Sequence, residues 1–90
     1  MEIGPAALEA GGAGEAPRVL LRTDNSAWIR TGPMPARPAH LTEEGARWLV
    51  GKGVTLLGID GLTVDAPGAM AAHVVLLERG VVIVETLDLS

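Results

Sequence analysis

The chain contains no cysteine, phenylalanine or tyrosine, and its only aromatic residues are Trp28 and Trp48. The absence of cysteine excludes disulfide bonds, thiolate metal ligands and thiol nucleophiles. No apolar run approaches the length of about 20 residues that a membrane-spanning helix needs. The first residues also lack the basic and then apolar order of a signal peptide. We therefore expect a cytoplasmic protein that has no membrane partner.

Positive charge is also scarce, with 7 lysines and arginines against 11 acidic residues and a net charge of −4. Proteins that bind nucleic acid present a basic surface to the phosphates, so nucleic acid is not an expected partner. A chain of 90 residues forms one small domain with a modest core. Hydrophobic residues nevertheless make up 48% of it. This excess favours burial against another subunit, so we expect a homo-oligomer.

The apolar periodicity predicts three units that each consist of a helix followed by a strand. Helices are predicted at 3–10, from the N-cap Thr42 to Gly51, and at 69–79, and strands at 17–23, 54–59 and 81–85. Strands that alternate with helices are typical of a parallel sheet with right-handed crossovers. We predict one α/β domain over residues 1–90, with three largely parallel strands and flanking helices. The continuous apolar run Val19-Leu20-Leu21 predicts burial of the first strand on both faces.

Residues 24–40 do not follow this pattern. The segment has little periodicity and contains Pro33, Pro35 and Pro38. We predict an irregular and mobile connection that is long enough to serve a function or to contact a partner. His40, at its end, is expected to face solvent. Trp28 is interpreted either as a residue that stacks on an aromatic substrate or as a subunit contact, and we favour the contact.

Polar residues lie at the carboxyl ends of all three predicted strands, among them Thr23, Asp60 and Glu85. Ligands bind at the carboxyl ends of the strands in open parallel sheets. His73, on the third helix, precedes Glu85 by twelve residues, and an imidazole beside a carboxylate suits a divalent metal or proton transfer. A hydrogen-bonded histidine at the edge of the core and a glutamate that reaches water are the alternatives. Turn formation and helix capping explain Asp60 and Asp65 about as well as a role in a site.

Four segments of the chain resemble part of the kynurenine formamidase/putative cyclase family of metal-dependent hydrolases. In order, they are LLRT, LTEEGARWLVGKGVTLLGID, TVD and AHVVLLERGVVIVETL. The resemblance implies part of a swivelling β/β/α fold, an oligomer, and hydrolysis of amide bonds in small aromatic or cyclic substrates. It also implies that His73 and Glu85 are metal ligands, for zinc or manganese, and that Asp60 shapes the site. We group Trp28 with Asp60 as a substrate-binding or site-shaping candidate.

The family's histidine-rich motif, of the form H-x-G-T-H-x-D-x-P-x-H, does not occur in the chain. In the family this motif supplies further metal ligands and a catalytic histidine. We therefore expect an incomplete member (a fragment, a gene remnant or a naturally short form) whose activity alone is doubtful and which holds zinc, manganese or no metal. One alternative is a non-catalytic, oligomeric α/β scaffold or interaction module. The other is a domain to which a separate polypeptide supplies the motif across an interface.

Overall fold

The computed structural model describes all 90 residues, from Met1 to Ser90. In chain order its elements are β1 (Glu2–Ile3), α1 (Pro5–Ala10), a 3₁₀ helix (Ala13–Glu15), β2 (Arg18–Leu21), α2 (Asn25–Thr31), β3 (His40–Leu41), α3 (Glu43–Gly51), β4 (Leu56–Ile59), α4 (Ala71–Glu78) and β5 (Val82–Val84). None of the helices has the length and apolar character that a membrane crossing requires.

The central sheet has three strands in the order β2-β4-β5, and both neighbouring pairs are parallel. In register, Val19 aligns with Leu57, which aligns with Ile83. The predicted α/β fold with three parallel strands is therefore confirmed. A second, two-stranded parallel sheet joins β1 to β3 and was not predicted, because strands of two residues leave no periodicity in the sequence.

The core lies between one face of the central sheet and helices α3 and α4. Leu57 and Ile59 from β4, Leu49 from α3 and Leu76 from α4 are completely buried in it. Thr42 is the N-cap of α3, as predicted, and its hydroxyl accepts a hydrogen bond of 3.0 Å from the Gly45 amide. This cap satisfies one of the free amides in the first turn of the helix.

The opposite face of the sheet is apolar and only partly covered, since the side chain of Leu87 lies over Gly58 at its centre. Leu20 in β2 is 59% exposed, and Val82 and Val84, on the same face of β5, are 55% and 37% exposed. The prediction that β2 is buried on both faces is therefore wrong. Successive side chains of a strand point to opposite faces, and the helices α3 and α4 pack on only one of them.

The segment 24–40 is irregular only between Gly32 and Ala39, because α2 occupies its first half. The buried side chain of Asn25 holds the two ends of this segment together. Its Nδ2 donates to the Ala39 carbonyl over 2.9 Å, and its Oδ1 accepts from the Ala39 amide and from the Trp28 indole, each over 3.1 Å. His40, expected to face solvent, lies instead in β3 with its side chain only 18% exposed.

Two glycines of α3 have opposite surroundings. A methyl group at Gly45 would lie 2.7 Å from the carbonyl oxygen of Ile3 and 2.9 Å from Leu41 Cδ1, so this glycine permits the close approach of α3 to β1. A methyl group at Gly51 would meet no atom within 4 Å. The helix therefore has room for a side chain at Gly51 but not at Gly45.

We expect Gly45→Ala to lower the free energy of unfolding by about 1 to 3 kcal/mol, because the backbone carbonyl of Ile3 cannot move away at little cost. The matched control Gly51→Ala makes the same chemical change in open space. It should leave the free energy of unfolding unchanged or raise it by up to about 1 kcal/mol through helix propensity. Urea denaturation of both variants measures these values. Equal effects of the two substitutions would contradict the packing of α3 on β1.

Candidate functional site

His73 and Glu85 meet at the edge of the central sheet. His73 lies in the first turn of α4, Gly80 (φ 73°) permits the reversal of the chain after this helix, and Glu85 follows β5 directly. The imidazole Nε2 lies 2.8 Å from Glu85 Oε2. The same carboxylate oxygen accepts a hydrogen bond of 2.9 Å from the Val64 amide. The structure thus brings together the two residues that the sequence predicts as metal ligands, and their metal-binding role stays a prediction.

Asp65 binds the other nitrogen of the same ring. Its Oδ2 lies 2.8 Å from His73 Nδ1, and its two oxygens also accept hydrogen bonds of 2.9 Å from the amides of Ala72 and His73. One side chain therefore caps the start of α4 and fixes the orientation of the imidazole. Capping was one interpretation of Asp65 from the sequence, but its contact with the ring was missed. The signal available was an aspartate before a helix that carries a histidine in its first turn.

The site is partly buried and rich in negative charge. Asp65 is 3% exposed, whereas the side chains of His73 and Glu85 are 15% and 29% exposed. Burial acts to raise the pKa of the Asp65 carboxyl, but hydrogen bonds from the amides of His73 and Ala72, together with the imidazole, hold this pKa below its ordinary value of 3.8. Asp65 therefore remains an anion next to His73, and Glu85 stays reachable from solvent.

The ring of His73 contacts a carboxylate on each side in this cluster of Asp65, His73 and Glu85. A neutral imidazole has one donor and one acceptor nitrogen, yet each nitrogen of His73 faces a carboxylate oxygen at 2.8 Å. Two ionised carboxylates can only accept hydrogen bonds. The contacts alone therefore fix the position of the ring between the two carboxylates, and the His73 nitrogen and the Glu85 oxygen that meet at 2.8 Å are both of types that bind metals.

The residues of this cluster suit a metal ion, although they do not make a complete site. A metal-binding histidine usually donates its second ring N–H to a carboxylate, which is the arrangement of His73 with Asp65. The imidazole Nε2 and the Glu85 carboxylate are nitrogen and oxygen ligands of the types that zinc accepts. No group of three or more His, Cys, Asp or Glu side chains is arranged to hold a metal, while catalytic zinc usually has three protein ligands. The two predicted ligands, His73 and Glu85, are therefore too few for such a site by themselves.

Asp60 is completely buried at the end of β4 and contacts a different set of residues. It accepts hydrogen bonds from the amide and hydroxyl of Thr23, over 2.8 and 2.6 Å, and from the hydroxyl of Ser26 over 2.7 Å. These bonds join the end of β4 to the end of β2 and the start of α2. They give Asp60 a place in shaping this edge of the sheet, away from the imidazole of His73, and its role in a site stays a prediction.

Trp28 also lies apart from the His73 cluster. Its half-buried indole projects from α2, donates a hydrogen bond to Asn25 and lines a cavity beside β2. The structure does not bring this residue together with His73 or Glu85. Stacking on a substrate and a subunit contact both remain predictions for it.

Comparison with known proteins gives matches over most of the chain. The model of the putative cyclase family matches residues 3–66, a range that includes Asp60 and Asp65. A structure described as a potential metal-dependent hydrolase with cyclase activity is 27% identical, with a TM-score of 0.83 over 99% of this chain and 43% of its own. A predicted metal-dependent hydrolase from Bacillus stearothermophilus gives the same identity and TM-score over 99% of this chain and 42% of its own.

The chain spans less than half the length of these two hydrolases. The structural matches extend over His73 and Glu85, which lie beyond the part that the family model matches. No curated protein shows significant sequence similarity to the chain.

Proposed function

The chain belongs to the putative cyclase family, and on this basis we propose that it is a metal-dependent hydrolase domain in which His73 and Glu85 bind the metal ion. Its fold is that of a metal-dependent hydrolase over nearly its whole length. The observation that carries the proposal is the contact of 2.8 Å between His73 Nε2 and Glu85 Oε2. Helix α4 and strand β5 hold this pair at the carboxyl edge of the sheet, where ligands of open α/β folds bind.

Each residue of the cluster has a definable part in this function. Asp65 accepts from Nδ1 and so keeps Nε2 directed at Glu85. His73 then offers a nitrogen ligand, and Glu85, held by the Val64 amide, offers an oxygen ligand. When bound, zinc or manganese would lower the pKa of a coordinated water and polarise a carbonyl group.

We further propose that the reaction is hydrolysis of an amide bond in a small aromatic or cyclic compound, as in arylformamidases. The resemblance of AHVVLLERGVVIVETL and the segments before it to that family supports this substrate class. Two ligands are fewer than a catalytic site normally uses, so we propose that the others come from outside these 90 residues, by way of a separate polypeptide or a longer chain. A cytoplasmic location also remains a proposal from the sequence.

We expect the purified protein to bind one equivalent of Zn²⁺ or Mn²⁺ in calorimetric titration. His73→Ala and Glu85→Gln each remove a ligand atom and should weaken this binding by at least about tenfold, and Asp65→Asn, which disturbs the support of the ring, by about 10- to 100-fold. His40, the only other histidine, provides the matched control. His40→Ala should bind metal as the original chain does.

Two results would contradict the proposed metal centre. One is the absence of metal binding by the unsubstituted protein in both titrations. The other is a loss of affinity in His40→Ala as large as that in His73→Ala, since binding would then not depend on this pair. Mass spectrometry of metals in the purified protein gives an independent value for the stoichiometry.

The partly covered apolar face of the sheet favours a second function, that of an oligomeric interaction module. Leu20, Val82 and Val84 expose apolar side chains on one continuous surface of a parallel sheet. Parallel sheets are normally covered on both faces, and extended apolar surfaces mark sites of association. We propose that this face contacts a second copy of the chain. The chain would then act as an oligomeric scaffold, a function that does not require a metal.

Sedimentation velocity over a range of concentrations tests this contact. The unsubstituted chain should form dimers, and the double substitution Val82→Thr with Val84→Thr should raise the dissociation constant by about tenfold or more, since it places two hydroxyls in an apolar interface. The control is the same valine-to-threonine substitution at Val74, which is 48% exposed on α4 and is not part of this face of the sheet. Val74→Thr should dimerise normally. Association through the sheet would be contradicted if the chain were a monomer at all concentrations. It would also be contradicted if Val74→Thr raised the dissociation constant as much as the double substitution.

A further inference from the structure

A cavity of about 730 Å³ lies beside β2, between α1 and α2, and of the residues of the proposed sheet contact only Leu20 lines it. None of Asp65, His73 and Glu85 lines this cavity. Its volume lies in the range of about 300 to 1,000 Å³ that is typical of sites for small molecules.

Most of the cavity wall is apolar. Ile3, Leu8, Val19 and Leu21 contribute aliphatic side chains, and the Trp28 ring forms part of the wall near α2. Trp28 is fixed because its indole nitrogen donates to the buried Asn25. A ligand of this cavity therefore needs an apolar body, which would gain by leaving water.

The charged residues of the wall indicate which charge the polar end of the ligand carries. Arg22 and Arg37 line the cavity, and neither forms an ion pair, whereas Arg30 and Arg47 pair with acidic residues elsewhere. Asp24 is the only carboxylate among the lining residues, so the wall carries a net positive charge. A guanidinium group binds carboxylates through two parallel hydrogen bonds.

The backbone of β2 adds polar groups on the same side. This strand pairs only with β4, so alternate peptide groups along its other edge have no partner strand. Residues 19–23 all line the cavity. An anionic group bound there can accept hydrogen bonds from backbone amides as well as from the two arginines.

We propose that this cavity binds an organic anion with an apolar body, whose carboxylate contacts Arg22 and Arg37 and whose body lies against Trp28 and the aliphatic wall. The site is independent of metal binding by His73 and Glu85. It is a second ligand site of the chain.

Calorimetric titration with octanoate tests this site, and octanamide serves as the neutral ligand of the same shape. Octanoate should bind saturably to one site, and octanamide at least about fivefold more weakly. Arg22→Gln and Arg37→Gln should each weaken octanoate binding by about threefold to tenfold, because each removes a charge-assisted hydrogen bond. Both arginines are exposed, so the variants should fold normally. Arg79 is exposed and forms no ion pair, and Arg79→Gln is the matched control that should bind octanoate unchanged.

Several outcomes would overturn this proposal. The first is that octanoate shows no saturable binding, and the second is that octanoate and octanamide bind equally well. The third is that Arg79→Gln weakens octanoate binding as much as Arg22→Gln and Arg37→Gln do. A loss of octanoate binding in His73→Ala would also overturn it, since the ligand would then occupy the metal centre. Normal octanoate binding by His73→Ala is the expected result, so the outcome for this cavity does not depend on the outcome for the metal.

Discussion

The contact of one imidazole with two carboxylates determines how the functional edge of this small domain is built. Asp65 lies before α4, His73 in its first turn and Glu85 after β5, so the ring of His73 joins three consecutive parts of the chain. A partly buried carboxylate is costly unless it is hydrogen-bonded or paired with a cation. The position of α4 relative to the sheet therefore depends on the same side chains that we propose for metal binding.

Much of this arrangement follows from local features of the sequence. The apolar runs that become β2, β4 and β5 predict the parallel sheet, and Thr42 predicts the start of α3. Gly80, between a helical pattern and the run VVIVE, predicts that the chain reverses there. A helix and strand joined by so short a turn lie side by side. The proximity of His73 and Glu85 could thus be predicted, although nothing in the sequence specifies the distance between their side-chain atoms.

Other features depend on contacts between distant residues and leave no local pattern. Helix α2 is stabilised by Asn25, whose partner Ala39 lies fourteen residues later, beyond a segment rich in proline. The exposure of Leu20 reflects the absence of a layer on one face of the sheet, and the run Val19-Leu20-Leu21 has the same composition as a strand buried on both faces. The contact between Asp65 and the ring of His73 arises only when the turn that begins at Asp65 brings its carboxylate to the start of α4.

A double-mutant cycle on stability tests the central contact most directly, without metal and without substrate. The free energy of unfolding is measured in urea with a chelator for the original chain, His73→Ala, Glu85→Ala and the double variant. If the two side chains are bonded, the loss in the double variant should fall short of the sum of the single losses by about 1 kcal/mol or more. Losses that add to within about 0.3 kcal/mol would show that the two residues are independent and would contradict the account.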